Sequence, residues 1–516
     1  MTKENRHMTD WRDPRPIQRR LIVMGNLVLQ SPAHCGNGDA ETFSYTDLVL
    51  VRDSLDQRPL LPGASITGAV RNYLCERELG YHQAKNKATL SVQLFGAAKG
   101  DDNGIQSPLI IHDALAEADT VEIELRDGVK INPETRTAEE KKKFNLETLA
   151  AGTVFPLYFE LLLPGGDMAL QLKQALALAL EGLQTEATPI HLGARKRRGL
   201  GRANVAQWQV WDFDLTTPNG LLAWLAFEHP DLESPRPAPV KNKDIWQALG
   251  LEEARLTLDK RAFFHLKADL TLSGSLLVRS GFTRQANEPD TVQLHLRQAD
   301  RQSQQPVVPG SSFAGVLRHR ALRIATTLLG DRAEALVNEM FGFGCADESM
   351  NQHNTNGHGN NGQQPQIKSS RVHIADARVN HVNSFVQSRI QIDRFTGSAH
   401  EAKLFHEQPV FGTPDTVLTL DLTLRNPTTA EIGLLLHTLK DLWLGDLPLG
   451  GQSSIGRGRV QGRCADLTWQ HANAEVQRWH IQQTDGSLSI TGDQQALENC
   501  GQALLDWKGI TDDSSS

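Results

Sequence analysis

The pattern of apolar and polar residues predicts a series of strands and helices in the first 200 residues of the chain. Residues 20–30 are apolar enough for a central strand, and the segment from Ser65 to about Leu79 has the period of a helix. The predicted elements, in order, are a strand at 20–30, a strand at 45–53, a helix at 65–79, strands at 109–114 and 154–163, and a helix at 168–183.

Two motifs occur twice, in the same order, in the two halves of the chain. Leu61 to Arg71 (LPGASITGAVR) returns 247 positions later as Val308 to Arg318 (VPGSSFAGVLR). Leu192 to Arg202 (LGARKRRGLGR) returns 257 positions later as residues 449–459 (LGGQSSIGRGR). Two motifs that recur in one order indicate a tandem duplication, and we name the halves the first and the second copy.

The order of elements predicts the fold class. Strand, helix, strand, strand and helix, followed by the glycine-rich segment, fit the βαββαβ plan of a ferredoxin-like domain, the scaffold that RRM domains use to bind RNA. We therefore expect an α+β protein with two tandem ferredoxin-like (RRM-like) domains, which its 516 residues accommodate. The expected ranges are 20–212 for the first domain, 213–260 for a linker with a Pro-rich segment, 261–465 for the second domain, 346–368 for a disordered insert within it, and 466–516 for a C-terminal extension.

Each Pro-Gly-Ala/Ser-Ser motif leads directly into a helical pattern. The serine can cap the helix, and the remaining N–H groups with the positive end of the helix dipole form a site for phosphate. A capped helix without a ligand is the alternative, but repetition beside a basic loop favours the anion site. The candidate residues are Ser65 and Arg71 in the first copy and Ser311, Ser312 and Arg318 in the second.

The second repeated motif is a glycine-rich loop, and we name residues 193–202 and 450–459 the first and second glycine loop. Glycine permits close approach of the backbone, and guanidinium groups grip phosphate bidentately. In the second loop serines replace basic residues, so contacts there would depend on amides, hydroxyls and two arginines. Candidate RNA contacts are Gly193, Arg195, Lys196, Arg197, Arg198, Gly199, Gly201 and Arg202 in the first loop, and Gly450, Gly451, Ser453, Ser454, Arg457, Gly458 and Arg459 in the second.

Composition restricts the class of protein. The net charge is −8, so a nucleic-acid role must depend on local basic loops rather than on overall charge. The five cysteines are scattered without a C-x-x-C pair, so we expect neither disulfides nor a zinc site. There is no apolar run of membrane-spanning length and no signal-peptide pattern, and we expect a cytoplasmic protein without membrane contact.

Taken together, these motifs resemble the RAMP superfamily of CRISPR effector proteins, specifically the backbone subunits of type III (Csm/Cmr-like) complexes. The tandem arrangement resembles the fused subunits of type III-D systems. The resemblance is carried by the Pro-Gly-Ser-Ser helix start, the Phe-Gly signature at Phe95-Gly96 and Phe341-Gly342, and the glycine-rich basic loop. It covers most of residues 20–465, in two copies.

The resemblance implies a thumb insertion in each copy. In the family this segment folds over the guide–target duplex and displaces one base pair at regular intervals. Residues 126–149 are polar and rich in Lys and Glu, and the run from Gln391 to Gly397 begins the second thumb. From the residues alone, a solvated hairpin or loop is the alternative.

The resemblance also implies catalytic residues. The family's cleaving aspartate lies upstream of the Pro-Gly-Ser-Ser motif, and Asp47 and Asp290 fit that position, with Asp300 as a fallback in the second copy. A carboxylate beside RNA can recruit hydrated Mg²⁺ or orient the 2′-hydroxyl. From the residues alone, Asp47 also fits a turn that precedes a strand. His34 matches a His-x-Gly position of the family and is a candidate RNA contact.

Overall, the resemblance implies a fused backbone subunit that binds CRISPR guide RNA and other type III effector subunits. It would act as a metal-dependent endoribonuclease, with Mg²⁺ or another divalent cation, on target RNA paired to the guide. Two alternatives stay open: a non-catalytic guide-binding scaffold of the same complex, and a guide-processing endonuclease. The latter needs a catalytic histidine, and neither copy has a convincing one at a repeated position.

Overall fold

A computed structural model describes most of the chain. The described residues are 17–36, 46–83, 89–97, 106–132, 135, 137–228, 237–279, 289–300, 303–343, 367–472, 476–484 and 486–509. The insert predicted to be disordered at 346–368 lies, except for its last two residues, outside them. Within the described ranges, no helix is both long and apolar enough to cross a membrane.

The first copy begins with the predicted central strand and ends with a short helix. Its elements are β1 (Arg19–Leu29), β2 (Leu60–Leu61), α1 (Gly63–Leu79), α2 (Thr89–Phe95), β3 (Leu109–Ile111), β4 (Ala114–Leu115), β5 (Ile123–Ile131), β6 (Ala138–Leu149), β7 (Val154–Leu163), α3 (Asp167–Leu180), β8 (Ala203–Asp214), α4 (Pro218–Glu228), β9 (Val240–Asn242) and α5 (Ile245–Ala248).

The second copy has the same central plan with further short strands before its first long helix, and it adds a C-terminal segment. Its elements are β10 (Phe263–Ser273), β11 (Ser275–Leu276), β12 (Thr291–Val292), β13 (His295–Arg297), β14 (Gln304–Val308), α6 (Gly310–Leu329), α7 (Ala333–Phe341), β15 (Val372–Ile374), β16 (Ala377–Ser384), β17 (Gln387–Ile392), β18 (Ala399–Gln408), β19 (Val410–Arg425), α8 (Thr429–Trp443), β20 (Arg459–Gln470), β21 (Val476–Thr484), β22 (Ser487–Thr491) and α9 (Gln494–Leu505).

Both sheets have the ferredoxin-like strand order. In the first copy β1 lies between β7 and β8, antiparallel to both, and the order is β3-β7-β1-β8-β9. In the second copy β10 lies in the same way between β19 and β20, and β15 and β16 pair with β19. The predicted α+β class and the βαββαβ plan are therefore confirmed for both copies.

Each copy has its own apolar core, because the helices bury one face against one face of their sheet. In the first copy, α3 buries Leu172, Leu176 and Leu180 against residues of the sheet such as Phe159. The first cluster is drawn from residues 21–251 and the second from residues 264–504. Two separate cores are what a duplicated domain requires.

A two-stranded hairpin extends from each copy where the thumb was predicted. The first thumb is β5 with β6, and the second thumb is β17 with β18. Arg126 pairs with Leu146 in the first hairpin and Gln387 pairs with Glu407 in the second, which makes these pairs equivalent. Residues 133, 134 and 136, between β5 and β6 in the sequence, lie outside the described residues.

The prediction of a strand at 45–53 is wrong, because residues 46–53, the part that the structure describes, form no strand. Residues 46–53 form only isolated bridges, which join Leu48 to Leu146, Leu50 to Gly36 and Arg52 to a neighbouring residue. The alternating pattern arose because Leu50 is buried while Leu48 lies on the surface at the base of the first thumb. An irregular segment that contacts several partners can show the same alternation as a strand.

The predicted linker at 213–260 is largely part of the first domain. It contains α4, β9 and α5, and both Ile245 and Trp246 are fully buried in the first core. The Pro-rich residues 229–236 lie outside the described residues. The C-terminal extension adds β21, β22 and α9, and Trp479 and Leu504 pack into the second core.

Candidate RNA-binding and cleavage sites

The two glycine loops have the same backbone conformation. Residues 193, 195, 199 and 201 have φ of +77°, +55°, +93° and +78°, and residues 450, 452, 456 and 458 have +75°, +61°, +85° and +78°. A short helical turn lies between the second and third of these positions in both loops. The alignment of the two loops from sequence is therefore reproduced residue by residue in the backbone.

The glycines serve contacts within the protein. A Cβ on Gly201 would lie 1.9 Å from the Leu192 carbonyl oxygen, and one on Gly458 would lie 1.8 Å from that of Leu449. A Cβ on Gly193 would likewise lie 2.3 Å from the His34 carbonyl oxygen, and one on Gly450 would lie 2.6 Å from that of Leu277. The Gly451 N–H donates to the same Leu277 oxygen over 2.8 Å. With positive φ as well, no other residue fits at 201 or 458 without strain. Approach to the protein's own backbone explains these glycines without RNA.

Two of the five cations of the first glycine loop face outward. Arg195 and Lys196 are exposed, and the Arg195 guanidinium lies 4.2 Å from the centre of the Phe144 ring in the first thumb. This contact holds the loop against the thumb by a cation–π interaction. The pair forms the basic surface of this loop that solvent, or a nucleic acid, can reach.

The other three cations face the second copy. Burial lowers the pKa of Arg197, and Arg425 of the second copy lowers it further. Burial also lowers the pKa of Arg198 to about 10, with Arg318 as the next cause. Arg202 lines a cleft of about 580 Å³ whose walls come from both copies. Sequence alone could not assign these side chains to an interface between the halves.

The interface between the copies centres on Asp376. One carboxylate oxygen accepts the N–H of Gly310 at the start of α6, over 2.9 Å, and the other accepts from Arg126 of the first thumb, over 2.8 Å. Gly199 of the first glycine loop packs against the same aspartate. A second anchor is Glu124 of the first thumb, which accepts the Arg297 N–H over 3.0 Å.

The helix starts are capped differently from the prediction. Pro62 and Pro309 occupy the N-cap positions, and neither helix has a capping bond from a side chain at that position. Instead Asp113 accepts the Gly63 N–H over 2.6 Å, as Asp376 does for Gly310. The predicted serine cap is therefore wrong, because the glycine N–H is accepted by a carboxylate between two strands, Asp113 between β3 and β4 or Asp376 between β15 and β16. The repeated Ile-x-Asp-Ala sequence, visible in both copies, was the signal for it.

The predicted residues along these helices divide into surface and anchoring positions. Ser65 and Ser311 are exposed and Ser312 is half-buried, one or two residues beyond the capped amides. Arg71 donates to the Gly96 carbonyl over 2.9 Å, and Arg318 donates to Asn338 over 2.8 Å. Each arginine ties its long helix to the end of the following helix, which is a structural contact at a repeated position.

In the second glycine loop, Ser453, Ser454 and Arg459 are exposed, but Arg457 is not. Arg457 is 2% exposed, and its Nη2 lies 3.1 Å from Glu407 Oε2 in the second thumb. Burial lowers its pKa, and Glu407 opposes that change. A direct contact between Arg457 and RNA, as predicted from sequence, does not fit this burial.

His34 is buried and belongs to the support of the first glycine loop. The residue is 4% exposed, and its Nδ1 lies 2.7 Å from the Glu147 carbonyl oxygen. Its own carbonyl accepts the Ala194 N–H over 2.8 Å, as Leu277 does for Gly451 in the second copy. Because the equivalent residue is a buried leucine, the position is structural, and the prediction of an RNA contact at His34 does not fit.

Asp47 and Asp290 occupy equivalent places at the thumb bases. Asp47 Oδ2 accepts the Asn145 N–H over 2.7 Å, and Asp290 Oδ2 accepts the His406 N–H over 2.7 Å. The next residues also correspond, since Leu48 and Thr291 pair in parallel with residues 146 and 407. Asp300 instead accepts the Ser303 N–H in a turn, over 3.2 Å. Geometry therefore identifies Asp290, not Asp300, as the counterpart of Asp47.

These carboxylates suit one kind of metal binding only. Among the described residues, no group of three or more His, Cys, Asp or Glu side chains is placed to hold a metal ion. Magnesium, however, keeps several water ligands and is often held by one or two carboxylates together with substrate phosphates. A single aspartate in each copy fits a hydrated Mg²⁺ that RNA helps to bind, and does not fit a site made by protein ligands alone.

Comparison with known proteins adds one match. The sequence pattern of the RAMP superfamily matches this chain twice, over residues 26–204 and 269–461, which together are more than half of its length. The two matched regions coincide with the two ferredoxin-like copies and include both glycine loops. No curated protein matches the chain.

Proposed function

This chain belongs to the RAMP superfamily, and we propose that it is a fused double backbone subunit of a type III CRISPR ribonucleoprotein. Proteins of this superfamily bind RNA within multi-subunit complexes. In this proposal both copies bind guide RNA, and each cuts the paired target RNA once. The observation that supports two cuts is the equivalent place of Asp47 and Asp290 on the two thumbs.

Guide binding is assigned to the outward-facing residues of the loops. These are Arg195 and Lys196 in the first copy, and Ser453, Ser454 and Arg459 in the second. Their combination of cations, hydroxyls and backbone amides suits phosphate oxygens without reading base sequence. The net charge of −8 provides no overall attraction for a polyanion, so binding depends on these local groups.

Cleavage is assigned to the two aspartates. In the reaction, the 2′-oxygen of the target RNA bonds to the adjacent phosphorus as the bond from phosphorus to the 5′-oxygen breaks. The 2′-hydroxyl loses a proton, the 5′-oxygen gains one, and a 2′,3′-cyclic phosphate remains. The carboxylate of Asp47 or Asp290 orients the hydroxyl by accepting its hydrogen bond. A hydrated Mg²⁺, held by the same carboxylate and the RNA, would neutralise charge on the phosphate.

The test uses the complex assembled with guide RNA and its partner subunits. Complementary RNA and Mg²⁺ are added, and the cuts are counted and mapped. We expect Asp47→Ala and Asp290→Ala each to remove a different cut by at least about 100-fold, while guide binding is unchanged. Asp53→Ala and Asp300→Ala are matched controls, since each of these aspartates lies nine positions before the Pro-Gly motif of its copy, and both should leave the cuts intact.

A non-catalytic scaffold is the second candidate. It is favoured by the hydrogen bond from each aspartate to a thumb backbone N–H, which gives Asp47 and Asp290 a structural role without any reaction. If both alanine variants bind guide normally and leave every cut in place, the scaffold is the correct function. Guide processing finds less support, because His34 is buried and has leucine at the equivalent position.

A further inference from the structure

A buried cluster of charged residues joins the second thumb to the second glycine loop. Glu407, on β18, is 3% exposed, and its Oε2 lies 3.1 Å from Arg389 Nε and 3.1 Å from Arg457 Nη2. Gln452 donates to the other carboxylate oxygen. From the second glycine loop, Arg457 also donates to the Gln387 side chain on β17, over 2.9 Å. The cluster thus fixes β17, β18 and the loop to one another.

Stability alone does not account for this cluster. Removing charges from water costs several kcal/mol per ion, and well-packed apolar residues of similar volume are often as stable. The first copy uses that apolar solution, since Leu146 and Leu200 stand at the positions of Glu407 and Arg457 and are each 3% exposed. Both junctions thus hold the hairpin against the glycine loop, by ion pairs and two side-chain hydrogen bonds in the second copy and by apolar packing in the first.

The residues beside Glu407 hold Asp290. The His406 N–H donates to Asp290 over 2.7 Å, and Thr291 pairs with Glu407 in a parallel bridge. The Gln293 N–H donates to the Gln408 carbonyl over 3.0 Å. The backbone of residues 406–408 therefore binds Asp290 and the residues after it. The side chain of Glu407 fixes the same three residues to the second glycine loop.

The first copy obtains the same result by other means. Its thumb is anchored on the second copy through Arg126 and Asp376, over 2.8 Å. Gln387 stands at the position of Arg126 and bonds within its own copy instead. The second thumb therefore lacks this intercopy ion pair and has an internal one in its place.

We propose that Glu407, with Arg389 and Arg457, positions Asp290 for cleavage by fixing β18 to the second glycine loop. The reaction named here rests on the proposed function, whereas the fixing of β18 does not. Glu407 acts through the backbone of residues 406–408 and does not contact RNA. Its role is geometric, so an apolar pair that packs equally well can replace it.

The test compares two variants in the assembled complex with the unmodified chain. Glu407→Gln keeps the shape but leaves two guanidinium groups without their anion. The double variant Glu407→Leu with Arg457→Leu introduces the residues of the first copy, and Arg389, which is 32% exposed, can turn to solvent. Three quantities are measured: the rate of each cut, guide affinity, and hydrogen exchange of the amides in residues 404–408.

We expect Glu407→Gln to slow the cut assigned to Asp290 by about tenfold or more, which corresponds to a modest misplacement of a reacting group. Guide affinity and the cut assigned to Asp47 should not change, and exchange at residues 404–408 should rise. The double variant should restore both the cut and the protection from exchange.

Two outcomes overturn the inference. One is a Glu407→Gln chain with an unchanged second cut and unchanged exchange. The other is a double variant that binds guide and protects residues 404–408 but does not recover the cut, because position alone would then be insufficient. If no RNA is cut at all, the proposed function fails, while the exchange measurement still decides whether Glu407 fixes β18.

Discussion

The two thumb–loop junctions of this protein have the same backbone and opposite chemistry. In the first copy, Leu146 and Leu200 are buried at the junction, and Phe144 covers Gly128, with Arg195 over the ring. In the second copy the equivalent residues are Glu407, Arg457, Phe405, Arg389 and Gln452. Several positions thus differ together, although the φ angles of the two loops agree within about 10°.

The two copies therefore keep the backbone geometry of the junction while the side-chain interactions that maintain it differ. The loop motif predicts that Arg457 contacts RNA, but its ion pair with the buried Glu407 accounts for an arginine at this position. The buried glutamate at 407 is balanced by Arg389 and Arg457, and Arg457 without Glu407 would be a buried unpaired charge. We therefore expect a loss of stability when only one residue of a pair from one junction is introduced into the other junction.

The largest effect is expected from placing half of the second junction in the first. Leu146→Glu would bury a carboxylate that has no cation at position 200 and whose cross-strand neighbour Arg126 is already paired with Asp376, at a cost of about 3–5 kcal/mol in the free energy of unfolding. Adding Leu200→Arg should recover part of that loss, because the pair of the second copy is then complete. Chemical denaturation of both variants measures this, and equal stability of the single and double variants would contradict it.

A smaller effect is expected at the two aspartates that cap the long helices. Asp113→Ala removes a cap at an exposed position and should cost about 1 kcal/mol of unfolding free energy. Asp376→Ala removes the same cap and also leaves Arg126 without its partner at the interface, so we expect about 3 kcal/mol. Denaturant titration compares the two, and Asp376→Ala combined with Arg126→Ala should cost less than Asp376→Ala alone. Equal losses for the two single variants would rule out the interface ion pair.

Much of the fold was predictable because its signals are local. The strand at 20–30 and the helix beginning at the Pro-Gly motif follow from periodicity, and the repeated motifs located both glycine loops. The capping box of α8 likewise joins two residues three positions apart, Thr428 and Glu431. These features depend on residues within a few positions of one another.

The features that could not be predicted depend on distant residues. Arg457 meets Glu407 from 50 positions away, and Arg126 meets Asp376 across 250. A motif shows that a residue is repeated, and it does not show which face of the loop the side chain occupies. His34 illustrates this, since only its place under the glycine loop reveals that a leucine can do the same task in the second copy.

The interface between the copies should respond to pH through two half-buried histidines. Burial lowers the pKa of His191 to about 4, and it lowers the pKa of His373 as well. The folded protein then binds fewer protons than the unfolded chain between pH 4 and 6.5, so stability falls as the pH falls through that window. For His191 the loss is about 2 kcal/mol at pH 5 relative to pH 7.

Urea denaturation at both pH values measures this loss. His191→Gln should flatten the dependence, because the group that the folded state keeps neutral is gone. If that variant and the unmodified chain lose the same free energy between pH 7 and pH 5, His191 does not contribute to acid sensitivity.

The smallest effect concerns the one cation of the first junction that both packs and faces outward. Arg195→Gln introduces the residue of the second copy and removes the contact with Phe144, which should cost about 0.5–1 kcal/mol of unfolding free energy. If Arg195 also contacts a guide phosphate, the same variant lowers the slope of log affinity against log salt by about 0.7 for single-stranded RNA. Gln452→Ala, at the equivalent position, carries no charge and should leave the salt slope unchanged. A slope that is the same for all three chains would leave Arg195 with the packing role alone, and the guide contact of this loop would then depend on Lys196 and the backbone.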